Sequence, residues 1–244
     1  MKKVLITADP DEANLMIENL PDIQVKPLHF PLEQFEYAAD PDQHEALLQQ
    51  LDSFQFVVYG GLRNARHFLT WMHETDTKSK LREKINLVMN EAEADLLEAE
   101  GIPAIQPKKA GKPIDILEFM LRISLNGAVL YPCAEASSEE IPGLLEEMEM
   151  PVAEFTVCRS VPFDKAEIEM KREQLEKAGP DSILFHSRSS VIRTKAAFPD
   201  LDLASYSLVA ASAGVAYKMR QENLEPDQTA SGSWKAVIDV LKGM

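Results

Sequence analysis

The sequence lacks the features that would place it in a membrane or on a nucleic acid. Its longest apolar runs are only of strand length, far below the roughly 20 residues that a membrane-spanning helix needs. Its 25 Lys and Arg stand against 40 Asp and Glu, a formal net charge of −15. The Lys and Arg residues do not cluster into the basic face that a protein needs to neutralise the phosphates of a nucleic acid. We therefore expect binding to neither nucleic acid nor membrane.

Cysteine is scarce, and no secretory signal is recognisable. Cys133 and Cys158 are the two cysteines, and no C-x-x-C occurs, so a disulfide framework is excluded and reduced, inert thiols are expected. The first apolar run, residues 4–7, is shorter than the roughly 7–15 residues of a signal sequence. These features predict a cytoplasmic protein.

Familiar cofactor and catalytic motifs are missing as well. The sequence contains no G-x-x-x-x-G-K-[ST], no G-x-G-x-x-G after a strand, no G-x-S-x-G and no H-E-x-x-H. Its five histidines lack metal-ligand spacing. We predict neither a metal nor a cofactor.

An alternation of two kinds of segment is present instead. Short, near-continuous apolar runs suit strands that are covered on both faces, and polar segments with helical spacing separate them. The predicted strands occupy residues 4–7, 54–60, 85–89, 128–131, 182–186 and 207–210. This pattern predicts an α/β fold with doubly wound parallel sheets.

Two extended segments interrupt the alternation and suggest two domains. Residues 26–35 and 153–162 have no helical period, and Pro27, Pro31 and Pro162 argue against the centre of a sheet. We interpret the segments as a two-stranded antiparallel linker. Domain 1 is then discontinuous and covers residues 1–25 and 163–244, and domain 2 covers residues 36–152.

An internal repeat supports two halves of similar construction. Residues 54–68 followed by 85–104 resemble residues 181–191 followed by 206–227. In each copy a buried strand ends in small or polar residues and a helix follows. The second helix of each copy stops at Gly101 or Asn223, residue types favoured just past a helix.

The loops after the predicted strands are the candidate ligand site. In parallel sheets ligands bind beyond the carboxyl ends of the strands, and helix N-termini favour anions. His186 ends a strand at one such loop. The alternative is that these residues are ordinary caps and turns. The candidate binding residues are Thr7, Gly60, Gly61, Arg63, Tyr131, Ser187, Arg188, Ser189, Ser212, Ala213 and Gly214.

These loops carry a resemblance to a family. The start VLITADPDEANLMIENL looks like a V-L-V-T-R-P opening, and DSILFHSRSSV keeps Ser187 of a D-x-v-x-F-T-S-x-S-a-V segment. FQFVVYGGLRNARHF corresponds to F-D-x-V-x-F-T-S-x-N-A-V. INLVMNEAEADLLEAEGIPA and SLVAASAGVAYKMRQENLEPD occupy two G-x-x-T-A-x-x-L-x-x-x-G segments. In element order, over essentially all 244 residues, the chain resembles the uroporphyrinogen-III synthase family.

Several positions depart from that pattern. Ala8 replaces an arginine, and Gly60-Gly61 replaces a Thr-Ser pair. Cys158 stands where the family has a linker tyrosine, which makes it the candidate catalytic position. The Gly and Thr of the two G-x-x-T segments become Asn90 and Glu93 in one and Ser212 and Val215 in the other, and Val215 joins the candidate substrate-binding residues.

The resemblance implies an enzyme that needs no cofactor. Its substrate is hydroxymethylbilane, a linear tetrapyrrole, and the product is uroporphyrinogen III with ring D inverted. The resemblance implies a site in the cleft between two domains, a monomer, and transfer of substrate from the preceding deaminase. Because the substrate is itself reactive, the protein's main task is positioning. Loss of the linker hydroxyl would reduce the rate by roughly 10²–10⁴-fold.

Two other functions remain open. The substitutions at Ala8, Gly60, Gly61, Val215 and Cys158 favour a catalytically silent relative that binds a tetrapyrrole or another anion. A periplasmic-type two-domain binding protein has similar architecture but is disfavoured by the missing signal sequence.

Overall fold

The structure is a computed structural model that describes residues 1–18, 20, 25–38, 41–107, 113–123, 127–135, 140–161, 163–232 and 234–244. Strands and helices alternate along it. In chain order they are β1 (Lys2–Ile6), α1 (Pro10–Glu18), β2 (Val25–His29), β3 (Phe35–Tyr37), α2 (Pro41–Gln50), β4 (Phe56–Tyr59), α3 (Leu62–Glu74), β5 (Ile85–Val88), α4 (Glu91–Ala99), β6 (Ala104–Ile105), α5 (Pro113–Ile123), β7 (Val129–Ala134), α6 (Glu140–Glu147), β8 (Val152–Ser160), α7 (Lys165–Ala178), β9 (Ser182–Phe185), α8 (Arg188–Ala197), β10 (Ser207–Ala210), α9 (Ala213–Gln221), β11 (Gln228–Thr229) and α10 (Trp234–Gly243). Among the described residues, no helix has the length and apolar character needed to cross a bilayer.

The chain forms two compact units. Unit 1 comprises Met1–Gln34 and Val161–Met244, and unit 2 comprises Phe35–Ser160. Unit 1 is therefore built from two separate stretches of sequence, and each unit has its own sheet.

In unit 1 a five-stranded parallel sheet has the order β11-β10-β9-β1-β2. Alternate residues of β1 point to opposite faces: Leu5 packs in one apolar cluster, and Val4 and Ile6 pack in another. Helices cover both faces, which explains why the strands are apolar throughout. Pro27, which has no N–H to donate, lies in β2 at the edge of this sheet.

Unit 2 contains a six-stranded sheet of order β3-β8-β7-β4-β5-β6, in which only the β3–β8 pair is antiparallel. Along β4, Val57 and Tyr59 pack in the cluster that contains Trp71, whereas Phe56 and Val58 pack on the opposite face. Both faces of this sheet are therefore buried.

The two segments expected to be linkers differ from that expectation. Residues 25–29 form an edge strand of unit 1, and residues 152–160 form β8, which pairs with a strand on each side. Among the described strands, antiparallel pairing is found between β3 and the end of β8. Phe155 and Val157 are buried in the core of unit 2, which holds β8 in the sheet. Pro162 lies outside the described residues.

Candidate functional site

The carboxyl ends of β1, β9 and β10, three neighbouring strands, lie at the same end of the sheet in unit 1. β1 lies between β2, which follows it in the chain, and β9, which comes much later, so the strand order reverses between β1 and β9. Such a reversal is where ligands bind in open parallel sheets. The edge carries residues 7–9, 186–189 and 211–214, which we call the unit-1 edge, and it brings together most of the predicted binding residues.

Hydroxyl groups cap α8 and α9, two of the three helices that begin at this edge. The N–H of Ser190 donates to Oγ of Ser187 (3.1 Å), and the N–H of Ser187 donates to Oγ of Ser190 (3.2 Å). At the start of α9, the N–H of Val215 donates to Oγ of Ser212 (3.3 Å). The Val215 side chain is buried in the core. Each helix thus directs its positive end to the edge with neutral side chains at the cap.

Arg188 lies against the first turn of α9. A Cβ added to Gly214 would be 3.1 Å from Nη2 and 3.4 Å from Nε of Arg188, so a side chain there would require the guanidinium to shift by a few tenths of an ångström. Arg188 is exposed, and it forms no ion pair or hydrogen bond with any described residue. A cation beside the positive end of a helix is an arrangement that a bound anion would stabilise.

Behind these loops lies a buried ionic cluster that the sequence analysis did not anticipate. Nη1 of Arg193 is 3.0 Å from Oε1 of Glu33, and Oγ of Ser189 donates to the same oxygen (3.0 Å). Nε2 of His186 is 3.6 Å from Oε2 of Glu33. Burial opposes ionisation of Glu33, but His186, Arg193 and Ser189 outweigh it and hold its pKa well below the usual range.

The β1–α1 turn uses a carboxylate as its cap. Oδ1 of Asp9 accepts from the N–H of Asp11 (3.0 Å), so an internal anion occupies the N-terminus of α1. Thr7 is buried, and within the described residues its hydroxyl has no hydrogen-bond partner.

In unit 2 the predicted residues of the first loop lie at the start of α3. Gly61 is the N-cap and supplies no side-chain cap, and a Cβ added there would meet nothing within 4 Å. The guanidinium carbon of Arg63 lies 3.6 Å from the centroid of the Phe35 ring, a cation–π contact.

The next loop of unit 2 is closed by its own side chains. Oδ1 of Asn90 accepts from the N–H of Glu93 (3.1 Å). The carboxylate of Glu93 accepts from the N–H of Met89 (2.7 Å) and from the side-chain amide of Asn90 (3.0 Å). Glu93 is fully buried, so a carboxyl group of the protein itself occupies the N-terminus of α4.

Two predicted residues of unit 2 lie in its interior. The expected strand end at Tyr131 is wrong, since β7 continues to Ala134 and Tyr131 is buried in its middle. The strand can contain Pro132, which has no N–H to donate, because its pairing with β4 already ends at Leu130. Cys158 is also buried, with Sγ 3.7 Å from Oδ1 of Asn64. Its catalytic role stays a prediction. Among the described residues, no cluster of His, Cys, Asp and Glu is suited to hold a metal.

Comparison with models of known protein families gives a match over residues 15–233 to the family described as uroporphyrinogen-III synthase HemD. The chain belongs to the uroporphyrinogen-III synthase family. The resemblance inferred from the sequence is confirmed, and with it the implied place in porphyrin biosynthesis. The comparison with curated protein sequences gives no match.

Solved uroporphyrinogen-III synthases share the fold. A mutant uroporphyrinogen III synthase from the extremely thermophilic bacterium Thermus thermophilus is 18% identical with a TM-score of 0.59, and the match covers 100% of this chain and 98% of that one. The uroporphyrinogen-III synthetase from Helicobacter pylori is 13% identical with a TM-score of 0.61, covering 99% and 98%. The predicted α/β class with parallel sheets is thereby confirmed.

Proposed function

We propose that this chain is an active uroporphyrinogen-III synthase. In the proposed reaction hydroxymethylbilane loses water to give an azafulvene. The substituted carbon of ring D then forms a bond to the azafulvene, which gives a spiro intermediate. The spiro intermediate rearranges, and the macrocycle closes with ring D inverted. Membership of the family over residues 15–233 supports this assignment.

The observation that carries the proposal is the position of Arg188. Its guanidinium lies against the first turn of α9, next to the start of α8, so a cation and two helix N-termini serve one edge. Carboxylates bind such sites through short, charge-assisted hydrogen bonds. The substrate bears many carboxylates, and the net charge of −15 acts on them only weakly, because salt screens it beyond roughly 8–10 Å.

Positioning accounts for the proposed catalysis. The bilane closes spontaneously without inversion, so the enzyme must hold it in one folded conformation. We assign substrate carboxylates to the Ser212 hydroxyl, the Arg188 guanidinium and the backbone N–H groups of the unit-1 edge. Gly60, Gly61 and Arg63 form the corresponding proposed contacts in unit 2. The proposal further includes a monomeric, cytoplasmic enzyme that receives its substrate from the preceding deaminase.

A coupled assay tests this function. Porphobilinogen and the preceding deaminase generate hydroxymethylbilane in the presence of the purified chain, and chromatography separates the uroporphyrinogen isomers. We expect the type III isomer well above the type I background. Formation of type I alone at every enzyme concentration would contradict the proposal.

A catalytically silent, tetrapyrrole-binding relative is the second candidate. It is favoured by the carboxylates of Asp9 and Glu93, which occupy two helix N-termini that would otherwise receive an anion. Equilibrium dialysis with uroporphyrin III distinguishes the two candidates when it is combined with the coupled assay. Binding without formation of the type III isomer identifies the silent relative.

A further inference from the structure

His186 is the one residue of the 186–189 segment of the unit-1 edge whose side chain lies between two carboxylates. Its side chain is only 2% exposed, and Nε2 lies 3.6 Å from Oε2 of both Glu12 and Glu33. Its other ring nitrogen, Nδ1, is buried and has no hydrogen-bond partner among the described residues. The ring is therefore enclosed between two carboxylates, and the proposed reaction has so far given it no role.

The charged groups around His186 come from three neighbouring segments of unit 1. Asp9 and Glu12 belong to the β1–α1 region, Glu33 follows β2, and Arg193 is on α8. Burial disfavours the imidazolium, but the carboxylates of Glu33, Glu12 and Asp9 outweigh it and raise the pKa of His186 above its usual value. Three carboxylates thus surround two cations, and the neutral ring would leave a larger negative excess.

A charged His186 also sets the direction of a hydrogen-bond chain. Nε2 is 3.3 Å from Oγ of Ser187, which is 3.0 Å from Oγ of Ser189, and Ser189 donates to Glu33 (3.0 Å). An imidazolium can only donate. Oγ of Ser187 then accepts from His186 and from the N–H of Ser190, so its own hydrogen must go to Ser189.

We propose that His186 is a positioning residue of the unit-1 edge, whose imidazolium neutralises Glu12 and Glu33 and fixes the Ser187 hydroxyl so that this edge receives an anionic substrate. This inference rests on the proposed synthase function. When the ring loses its proton, Arg193 remains as a counter-charge to Glu33, but Glu12 and Glu33 together present a larger negative charge to the edge. Substrate binding therefore weakens, whereas the chemical steps after binding are less affected.

NMR titration of the imidazole tests the charge state without an activity measurement. We expect one histidine in the wild-type spectrum to titrate above the usual range, and the signal to be missing in His186→Gln. In Glu12→Gln the same signal should titrate at lower pH, because one carboxylate neighbour has become neutral. A His186 that titrates at or below the usual value, or that does not respond to Glu12→Gln, would overturn the proposal.

Kinetics test the positioning role. His186→Gln keeps a side-chain N–H donor and removes the charge, so we expect KM for hydroxymethylbilane to rise about tenfold, as for one lost charge near the site. We expect kcat to change by less than about twofold, because an interaction that stabilises bound substrate and transition state equally affects KM and not kcat. Wild-type KM should rise with pH as His186 loses its proton, and the variant should lack this dependence.

Two further variants separate this role from a merely structural one. In the double variant His186→Gln/Glu12→Gln one carboxylate is removed with the cation, and KM should recover towards the wild-type value. His73→Gln is the matched control, because His73 contacts Glu100 (3.1 Å) on the surface of unit 2, and its KM should not change. Unchanged KM in His186→Gln, or a retained pH dependence, refutes the positioning role alone. Absence of the type III isomer from wild-type assays refutes the proposed function, and the role of His186 towards this substrate with it.

Discussion

The two units solve one structural problem in different ways. In each unit, parallel strands end at loops that lead into helices, and the positive helix ends must be satisfied. Unit 1 caps α8 and α9 with the hydroxyls of Ser187 and Ser212 and places Arg188 alongside. Unit 2 leaves α3 without a side-chain cap, whereas at α4 the amide oxygen of Asn90 caps the helix and the carboxylate of Glu93 accepts from the N–H of Met89.

The difference lies in the charge at particular helix starts: α8 and α9 have neutral caps, whereas a carboxylate lies at the start of α4 and, in unit 1 itself, at the start of α1. A hydroxyl cap is neutral and leaves the field of the helix available to a ligand, whereas a carboxylate cap cancels that field internally. The unit-1 edge should therefore bind anions more strongly than the α4 end of unit 2. Repeated architecture does not imply repeated binding.

The largest effect should follow removal of the buried carboxylate behind the unit-1 edge. Glu33→Gln leaves Arg193 and His186 without their main counter-charge, and breaking a buried ion pair costs about 3–5 kcal/mol of unfolding free energy. Urea unfolding at neutral pH measures it. Glu36→Gln is the control, since its pair with Arg159 is exposed and such pairs contribute about 1 kcal/mol or less. Equal losses in the two variants would show that the cluster does not stabilise unit 1.

The same variant has a predicted pH dependence. Because the folded state lowers the pKa of Glu33 below its usual 4.5, its contribution is fully present above that pH. The contribution is lost as pH falls through the lowered pKa, where the folded carboxyl also takes up a proton. The stability difference between wild type and Glu33→Gln should thus shrink on acidification. A difference that stays constant in acid would contradict the assignment.

The next effect concerns substrate affinity at the unit-1 edge. Arg188→Ala removes the guanidinium from the first turn of α9, and loss of a charge-assisted contact should lower kcat/KM about 10- to 100-fold, mainly through KM. Arg220→Ala removes an equal charge near the end of the same helix, where Arg220 contacts Glu225 (3.0 Å). If both variants lose activity equally, net charge rather than a local site explains the effect.

A smaller effect is expected in unit 2. Glu93→Ala leaves the N–H of Met89 without its carboxylate acceptor and should lower the unfolding free energy by about 1–2 kcal/mol. Thermal or urea unfolding measures the change. Glu91→Ala removes an exposed carboxylate from the same helical turn and should have little effect. A comparable loss in Glu91→Ala would indicate interaction with the helix dipole rather than capping.

Six strands of the two sheets (β1, β4, β5, β7, β9 and β10) were predictable because buried parallel strands have a local sequence pattern. Residues 182–186 and 207–210 were expected as strands, and β9 and β10 lie there. β8 was mistaken for a linker because Pro162 follows it and its alternation is irregular. Its place in the sheet depends on burial against α3 and β7, which a local pattern does not contain.

The candidate site was predictable only in part. Ser187 and Ser212 cap helices in loops that directly follow predicted strands, so their positions could be inferred from the sequence. Glu33 could not, because it lies 156 positions from Ser189, its hydrogen-bond partner, in a segment with no regular pattern. A buried acid is recognisable from sequence only when its counter-charges are near in the chain.

The smallest effect is expected from a substitution that gives α3 a serine N-cap like that of α8. Gly61→Ser adds an N-cap hydroxyl where the backbone is extended and a Cβ meets nothing within 4 Å. Replacing a glycine cap by serine should raise the unfolding free energy by about 0.3 kcal/mol, which urea unfolding can resolve in a matched series. Gly61→Ala fills the same space without a hydroxyl, and because alanine is a poor N-cap it should destabilise the helix instead. Stabilisation by both variants would assign the gain to the loss of glycine's freedom in the unfolded chain, and the absence of a cap at α3 would then have no energetic consequence.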